Sequence, residues 1–301
     1  MQKAFVPAAR GVSPALRLLH RVVKVGERPR GGPSGSRPAT TRNNAINADT
    51  MAPDHMTEFL LRYADGPLVL AQRLSEWVGK GPVLEEDIAL ANVGLDLLGQ
   101  ARMWLEYAGE VEGRGRDEDA LAFHRDVHAF RNPLLAEQPN GHYGDTIARQ
   151  FCFDRWHQLA LAALARSRDE RIAAIAAKAA KEVAYHVERS TDWVIRLGDG
   201  TDVSHARMQR SIDDLWPYTG ELFLPDDVDD EAARDGLGPD LASLAAPWRE
   251  GVAAVLAEAT LVLPSDDWAQ RGGRQGRHSE HLGHLLAEMQ FLPRAYPDAR
   301  W

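Results

Sequence analysis

Two segments of this 301-residue chain set an acid and an imidazole about one helical turn apart. Asp154-x-x-His157 has the i, i+3 spacing, and Glu182 meets Tyr185 at i+3 and His186 at i+4. On a helix such residues share a face. Four helices can hold two metal ions when two of them carry Glu-x-x-His and the other two carry one Glu each. The carboxylates bridge and neutralise the ions, and each imidazole supplies a neutral nitrogen. The remaining helices fall short of that pattern. Glu76 is the best acid on the first, Glu58 lying too near its end. The second offers Asp96 and Gln100, and none of the 11 histidines falls between His55 and His124. One acid–imidazole pair is absent and another is broken. Asp154, His157, Glu182 and His186 therefore read as hydrogen-bonded helix residues, with a metal site as the competing reading.

Three further features carry chemical potential. His278, His281 and His284 recur every three residues, a row that drifts around a helix and reads as surface or interface. The turn Arg271-Gly272-Gly273-Arg274-Gln275-Gly276-Arg277 precedes a helix and could cradle an anion, although it lacks phosphate-loop spacing. Cys152 sits among apolar and aromatic residues, as a buried inert thiol does. No nucleophile elbow, dinucleotide fingerprint or zincin motif occurs.

The elements that must position these residues are helices. From Thr57 onward apolar residues recur at a helical period and β-branched residues are sparse. The pattern predicts helices near 57–78, 85–109, 117–130, 146–167 (capped by Asp145), 169–197, 203–223, 247–262 and 279–292. An acidic loop is expected over Asp226–Glu231. The segment Ile88–Ala101 contains a single charge, Asp96, which predicts a helix at the bundle centre. Two pairs of long helices with short links and a longer connection between the pairs make a four-helix bundle with additional helices, and such bundles include the ferritin-like fold.

Composition narrows the function classes. The net charge is -9 and 44% of residues are hydrophobic, ordinary proportions for a globular protein. One cysteine excludes a disulfide scaffold and a cysteine-ligated metal, and suits a cytoplasmic setting. No apolar run reaches the roughly 18–20 residues of a membrane helix. Residues 1–50 hold nine Lys/Arg and two acids, leaving 26 basic and 42 acidic residues in the rest. An acidic body repels nucleic-acid phosphates. We expect residues 1–55 to form a flexible extension or to precede the true start, Met51 and Met56 standing just before the first helix; an Arg-rich transit peptide is the third reading. Residues 56–301 form the helical domain.

Five segments resemble one family: Leu90–Arg102, Glu137–Gln150, Lys178–His186, Leu197–Ser204 and His278–Gln290. They are similar to the C-subunit family of bacterial 1,2-phenylacetyl-CoA epoxidases, the multicomponent oxygenases of aerobic phenylacetate breakdown. The resemblance implies an all-α, ferritin-like fold and no cofactor or catalytic residue in this chain. It implies a di-iron centre in a homologous catalytic partner, the A subunit, with a small B subunit and a flavin/iron–sulfur reductase completing the complex. The positions matching the partner's ligands are Leu97 and Gln100 on the second helix and Glu182 and Tyr185 on the fourth, a vestigial set to which Asp154 also belongs.

Carboxylates left in such an interior need compensation. Lys178, one turn before Glu182, and Arg149 are the candidate cations. Three functions follow: a non-catalytic subunit that stabilises the catalytic one; a di-iron oxygenase using Glu76, Asp96, Asp154, His157, Glu182 and His186; or a CoA-binding protein using the 271–277 turn.

Overall fold

Long runs of Ala, Leu and charged residues, interrupted by few β-branched side chains, favour uninterrupted helices. Four result: α1 (Pro53–Ser75), α2 (Leu84–Glu112), α3 (Tyr143–Leu164) and α4 (Glu170–Gly198). The computed structural model describes residues 51–297 and 299, and no strand occurs among the described residues. Most of the expected N-terminal extension, residues 1–50, lies outside them. Shorter helices follow, among them α5 (Asp202–Leu215), α6 (Asp227–Arg234), α7 (Ala245–Glu258) and α8 (Glu280–Met289).

Contacts between side chains fix the topology. Tyr63 faces Trp104, with ring centroids 5.9 Å apart, and Gly94 lies against Leu74, so α1 and α2 are antiparallel. Tyr63 also stacks on Trp156, and Trp77 donates to the Thr146 hydroxyl, so α1 and α3 are antiparallel. Gln100 pairs with Glu182 and Glu86 with Arg189, which runs α2 against α4. The result is an up-down-down-up bundle in which the 113–142 connection crosses from one pair to the other. This is a ferritin-like core with added helices. The two hairpin pairs, α1/α2 and α3/α4, make the densest helix–helix packing. Gly66 lets α1 approach α3: a Cβ there would lie 3.3 Å from the Phe153 ring.

Element ends follow local chemistry. Pro53 stands at the start of α1, where its missing N–H costs nothing, so the helix begins four residues earlier than periodicity suggests. His142, not Asp145, caps α3: its ring accepts from the Asp145 N–H while the Asp145 carboxylate accepts from the His142 N–H. Asp169 caps α4 through the N–H groups of Arg171 and Ile172. The expected helix 203–223 stops at Leu215, because Pro217 forces two 3-10 turns, Trp216–Tyr218 and Gly220–Phe223. The expected acidic loop is α6, capped by Asp226. Its acids are internally paired: Arg62 donates to Asp226 (2.6 Å) and Asp229 (2.7 Å), and Arg274 donates to Asp229 (2.6 Å).

Candidate functional site

Three bundle helices send polar side chains to one interior region. Gln150, Asp154 and His157 lie on the inward face of α3, Gln100 comes from α2 and His186 from α4; all five are buried. The buried Tyr63 hydroxyl of α1 lies instead among the charges of Arg274, Asp229 and Arg62. Gln150 Nε2 donates to Asp154 Oδ1 at 2.6 Å. Asp154 Oδ2, Gln150 Oε1, Gln100 Oε1, the Tyr63 hydroxyl and both ring nitrogens of His157 meet no hydrogen-bond partner within the described residues. Around them stand Phe153 and Trp156, with ring centroids 5.2 and 6.1 Å from His157. Burial pushes the Asp154 carboxyl up to about 6, against the pull of His186 and the Gln150 amide. Burial pushes His157 down to about 3, and nearby His186 adds to the shift. Desolvation disfavours the charged form of each group, which explains the opposite directions.

The ligand-matching positions do not converge here. Leu97 is fully buried and brings no donor atom. Gln100 Nε2 donates to Glu182 Oε2 at 2.9 Å. Glu182 is only partly buried, on the α2/α4 seam. Tyr185 is 49% exposed and faces away from the interior. The residue that turns inward is His186, whose Nε2 lies 3.1 Å from Asp96 Oδ2. Glu76 sits beyond the end of α1, taking Arg73 at 3.0 Å and Asn140 at 3.0 Å. No group of three or more His, Cys, Asp or Glu side chains placed to hold a metal ion occurs among the described residues. A dinuclear carboxylate centre needs six such donors in one volume, so the residues present do not fit one.

The two candidate cations lie elsewhere. Lys178 is exposed, with Nζ 3.8 Å from the Met103 sulfur, and does not reach the interior. Arg149 is fully buried, but its guanidinium serves the Gln138 carbonyl and, at 2.7 Å, Asn140 Oδ1. Burial lowers its pKa to about 9. The carboxylates expected to be sealed in are not: the Asp96 side chain is 38% exposed. The sealed acid is Asp154, whose charge is eased by an amide and a nearby imidazole.

The other sequence features separate on inspection. In the 271–277 turn, the N–H groups of Gly272 and Gly273 donate to Glu221 Oε1 at 2.7 and 2.6 Å. Glu221 Oε2 accepts from the Leu134 N–H at 2.7 Å. The anion that this turn cradles is thus the chain's own buried carboxylate, and Arg274 is spent on Asp229. An external phosphate finds that place taken. The three histidines diverge: the His278 side chain is buried between Glu137 and the Phe130 carbonyl, while His284 is exposed. Cys152 is buried and its thiol is pushed up to about 12.

Sequence reasoning misses three functional features. Glu221 and Glu137 are both buried acids; the partners of Glu221, and His278 and Ser279 at Glu137, lie more than 50 residues away, beyond the reach of spacing rules, with Asn132 a local partner of Glu137. The outward side of α2 is the third. The segment 88–101 expected at the bundle centre buries Leu90, Val93, Leu97 and Ala101 there, while its outer side leaves Ile88 51% exposed, next to Leu84 (70%) just ahead of the segment.

Residues 41–301 match the sequence family described as phenylacetic acid catabolic protein. The chain belongs to that family. One relative, the C subunit of 1,2-phenylacetyl-CoA epoxidase from Escherichia coli (strain K12), is 51% identical over 248 residues, which covers 82% of this chain and 100% of the relative. Family membership extends over every described helix. No helix among the described residues is long and apolar enough to cross a membrane.

Proposed function

We propose that this chain is a non-catalytic structural subunit of a phenylacetyl-CoA 1,2-epoxidase. It pairs with a homologous di-iron partner, the A subunit, and stabilises it, while a small B subunit and a flavin/iron–sulfur reductase complete the oxygenase. The complex works in the cytoplasm, on phenylacetate breakdown. Residues 56–301 act as its helical unit, with no metal ligand and no catalytic residue of their own; Leu97, Gln100, Asp154, Glu182 and Tyr185 are the vestigial positions. The observation that carries this reading is the bundle interior. A leucine and an engaged amide stand at two ligand-matching positions, a phenol turned to the surface at a third, and Asp154, sealed among them, has an amide for its partner. The match to an epoxidase C subunit over that relative's whole length supports the assembly.

The test is co-expression with the catalytic subunit of the same complex, purification through a tag on this chain, and iron measurement on each separated chain. The expected result is a stable complex with iron confined to the partner. A partner that turned over phenylacetyl-CoA at full rate alone would refute the stabilising role. Near-stoichiometric iron on this chain would refute the non-catalytic one.

A further inference from the structure

The outer side of α2 is built unlike a solvent-facing helix surface. Exposed Leu84 and Ile88, half-buried Leu95 and exposed Gly99 follow one another at spacings of four to seven residues along one stripe, and Val83 (53% exposed) precedes it. From α4, Tyr185 borders the same face. Between Ile88 and Ala101 the one charge is Asp96. Contiguous exposed apolar side chains of this kind mark an interaction surface.

Gly99 adds an independent signal. It lies in the middle of a 29-residue helix, is exposed, and a Cβ built on it would meet no atom within 4 Å. Nothing in this chain needs the glycine. Glycine weakens a helix interior relative to alanine, and no contact among the described residues offsets that here. A missing side chain on an exposed helix lets another backbone approach closely, as small residues do between tightly packed helices.

Charge indicates what approaches. Asp96 and Glu182 stand on this face with no lysine or arginine paired to either among the described residues; Asp96 meets His186, and Glu182 meets the Gln100 amide. Two carboxylates that meet no lysine or arginine would be desolvated on docking and need a cation. A second copy of this chain would bring the same two acids to that place, and Lys178 on α4 lies against Met103 rather than against either acid. Like charges set against each other oppose such a dimer.

We propose that the α2/α4 face is the surface that receives the catalytic partner. That partner presents an apolar helix packed closely over Gly99 and an arginine or lysine directed at Asp96 and Glu182. The proposal rests on the assembly reading above and adds to it the face and the chemistry of its counterpart. The compensating cation expected inside this bundle comes from the neighbouring chain.

The experiment measures the dissociation constant between this chain and the catalytic partner at two salt concentrations. Leu95→Glu should weaken binding by about 30-fold or more, the effect of a central hot-spot residue. Asp96→Asn with Glu182→Gln, which keep shape and local hydrogen bonding, should weaken it by about tenfold and flatten its salt dependence. Gly99→Ala should raise the melting temperature of the free chain by about 2 °C and still weaken the complex. Trp268→Glu, at a 63% exposed apolar residue elsewhere, should change nothing. If the unmodified chain binds the partner and every α2/α4 variant binds equally well, the face is wrong and the assembly reading stands. If the unmodified chain does not bind at all, both fall. If Leu95→Glu instead abolishes self-association, the occupant is a second copy and the proposal is overturned.

Discussion

Replacing Asp154 by asparagine should stabilise the protein at neutral pH and leave it unchanged in acid. The carboxyl is fully buried, and burial raises its pKa from 3.8 to about 6. The folded state therefore holds this proton more tightly than the unfolded chain. Stability is greatest below pH 3.8 on this account and falls as pH rises through 6. Above that window the penalty is about two pKa intervals, or about 3 kcal/mol. Asparagine has the same shape, and its oxygen can still accept from Gln150 Nε2, the bond now 2.6 Å long. Its amide group takes the place of Oδ2, which meets no hydrogen-bond partner among the described residues. The expected gain at pH 7 is up to about 3 kcal/mol, or about 6–12 °C in melting temperature. Paired melts of the two proteins from pH 4 to pH 7.5 read the difference directly, since all other titrating groups cancel. A difference that is flat with pH, or an asparagine variant that melts lower at pH 7, would refute the claim that this acid is buried without a matching cation.

The other expectations concern groups that burial has silenced or engaged. His157→Phe should flatten the acid side of the stability profile: burial lowers the His157 pKa to about 3, so the parent chain loses stability as pH falls from 6.5 toward that value, and a side chain that cannot titrate escapes the loss. Glu221→Gln should cost about 2–4 kcal/mol in denaturant unfolding, because one oxygen that accepts backbone N–H bonds becomes a donor facing donors. Cys152, its thiol raised to about 12, should resist a thiol reagent at pH 8 and react only once denaturant is added; rapid labelling of the folded protein would contradict its burial.

How far the sequence reveals the molecule differs from level to level. The four core helices are legible because their apolar residues repeat at the helical period and short links force neighbours to pair. The orientation of a residue about its helix axis is harder. Tyr185 and His186 both follow Glu182 by about one turn, yet only His186 turns inward, and that choice depends on how α4 rotates against α2. The segment 88–101 lies in the bundle as expected on one side and is exposed on the other, for a different reason. Apolarity on all sides means that all sides are buried somewhere, without saying whether in this chain's core or against another chain. Glu221 is invisible to spacing rules because it is joined to Leu134 and to Gly272 only by the fold.

That last carboxylate has a mechanical consequence. It rivets together the crossover near Leu134, the 3-10 turn after α5, and the long irregular stretch ahead of α8. Segments that share one buried carboxylate detach together rather than one by one. Amide exchange at Leu134, Gly272 and Gly273 should accordingly proceed at a common rate, so that these three distant stretches behave as one opening unit.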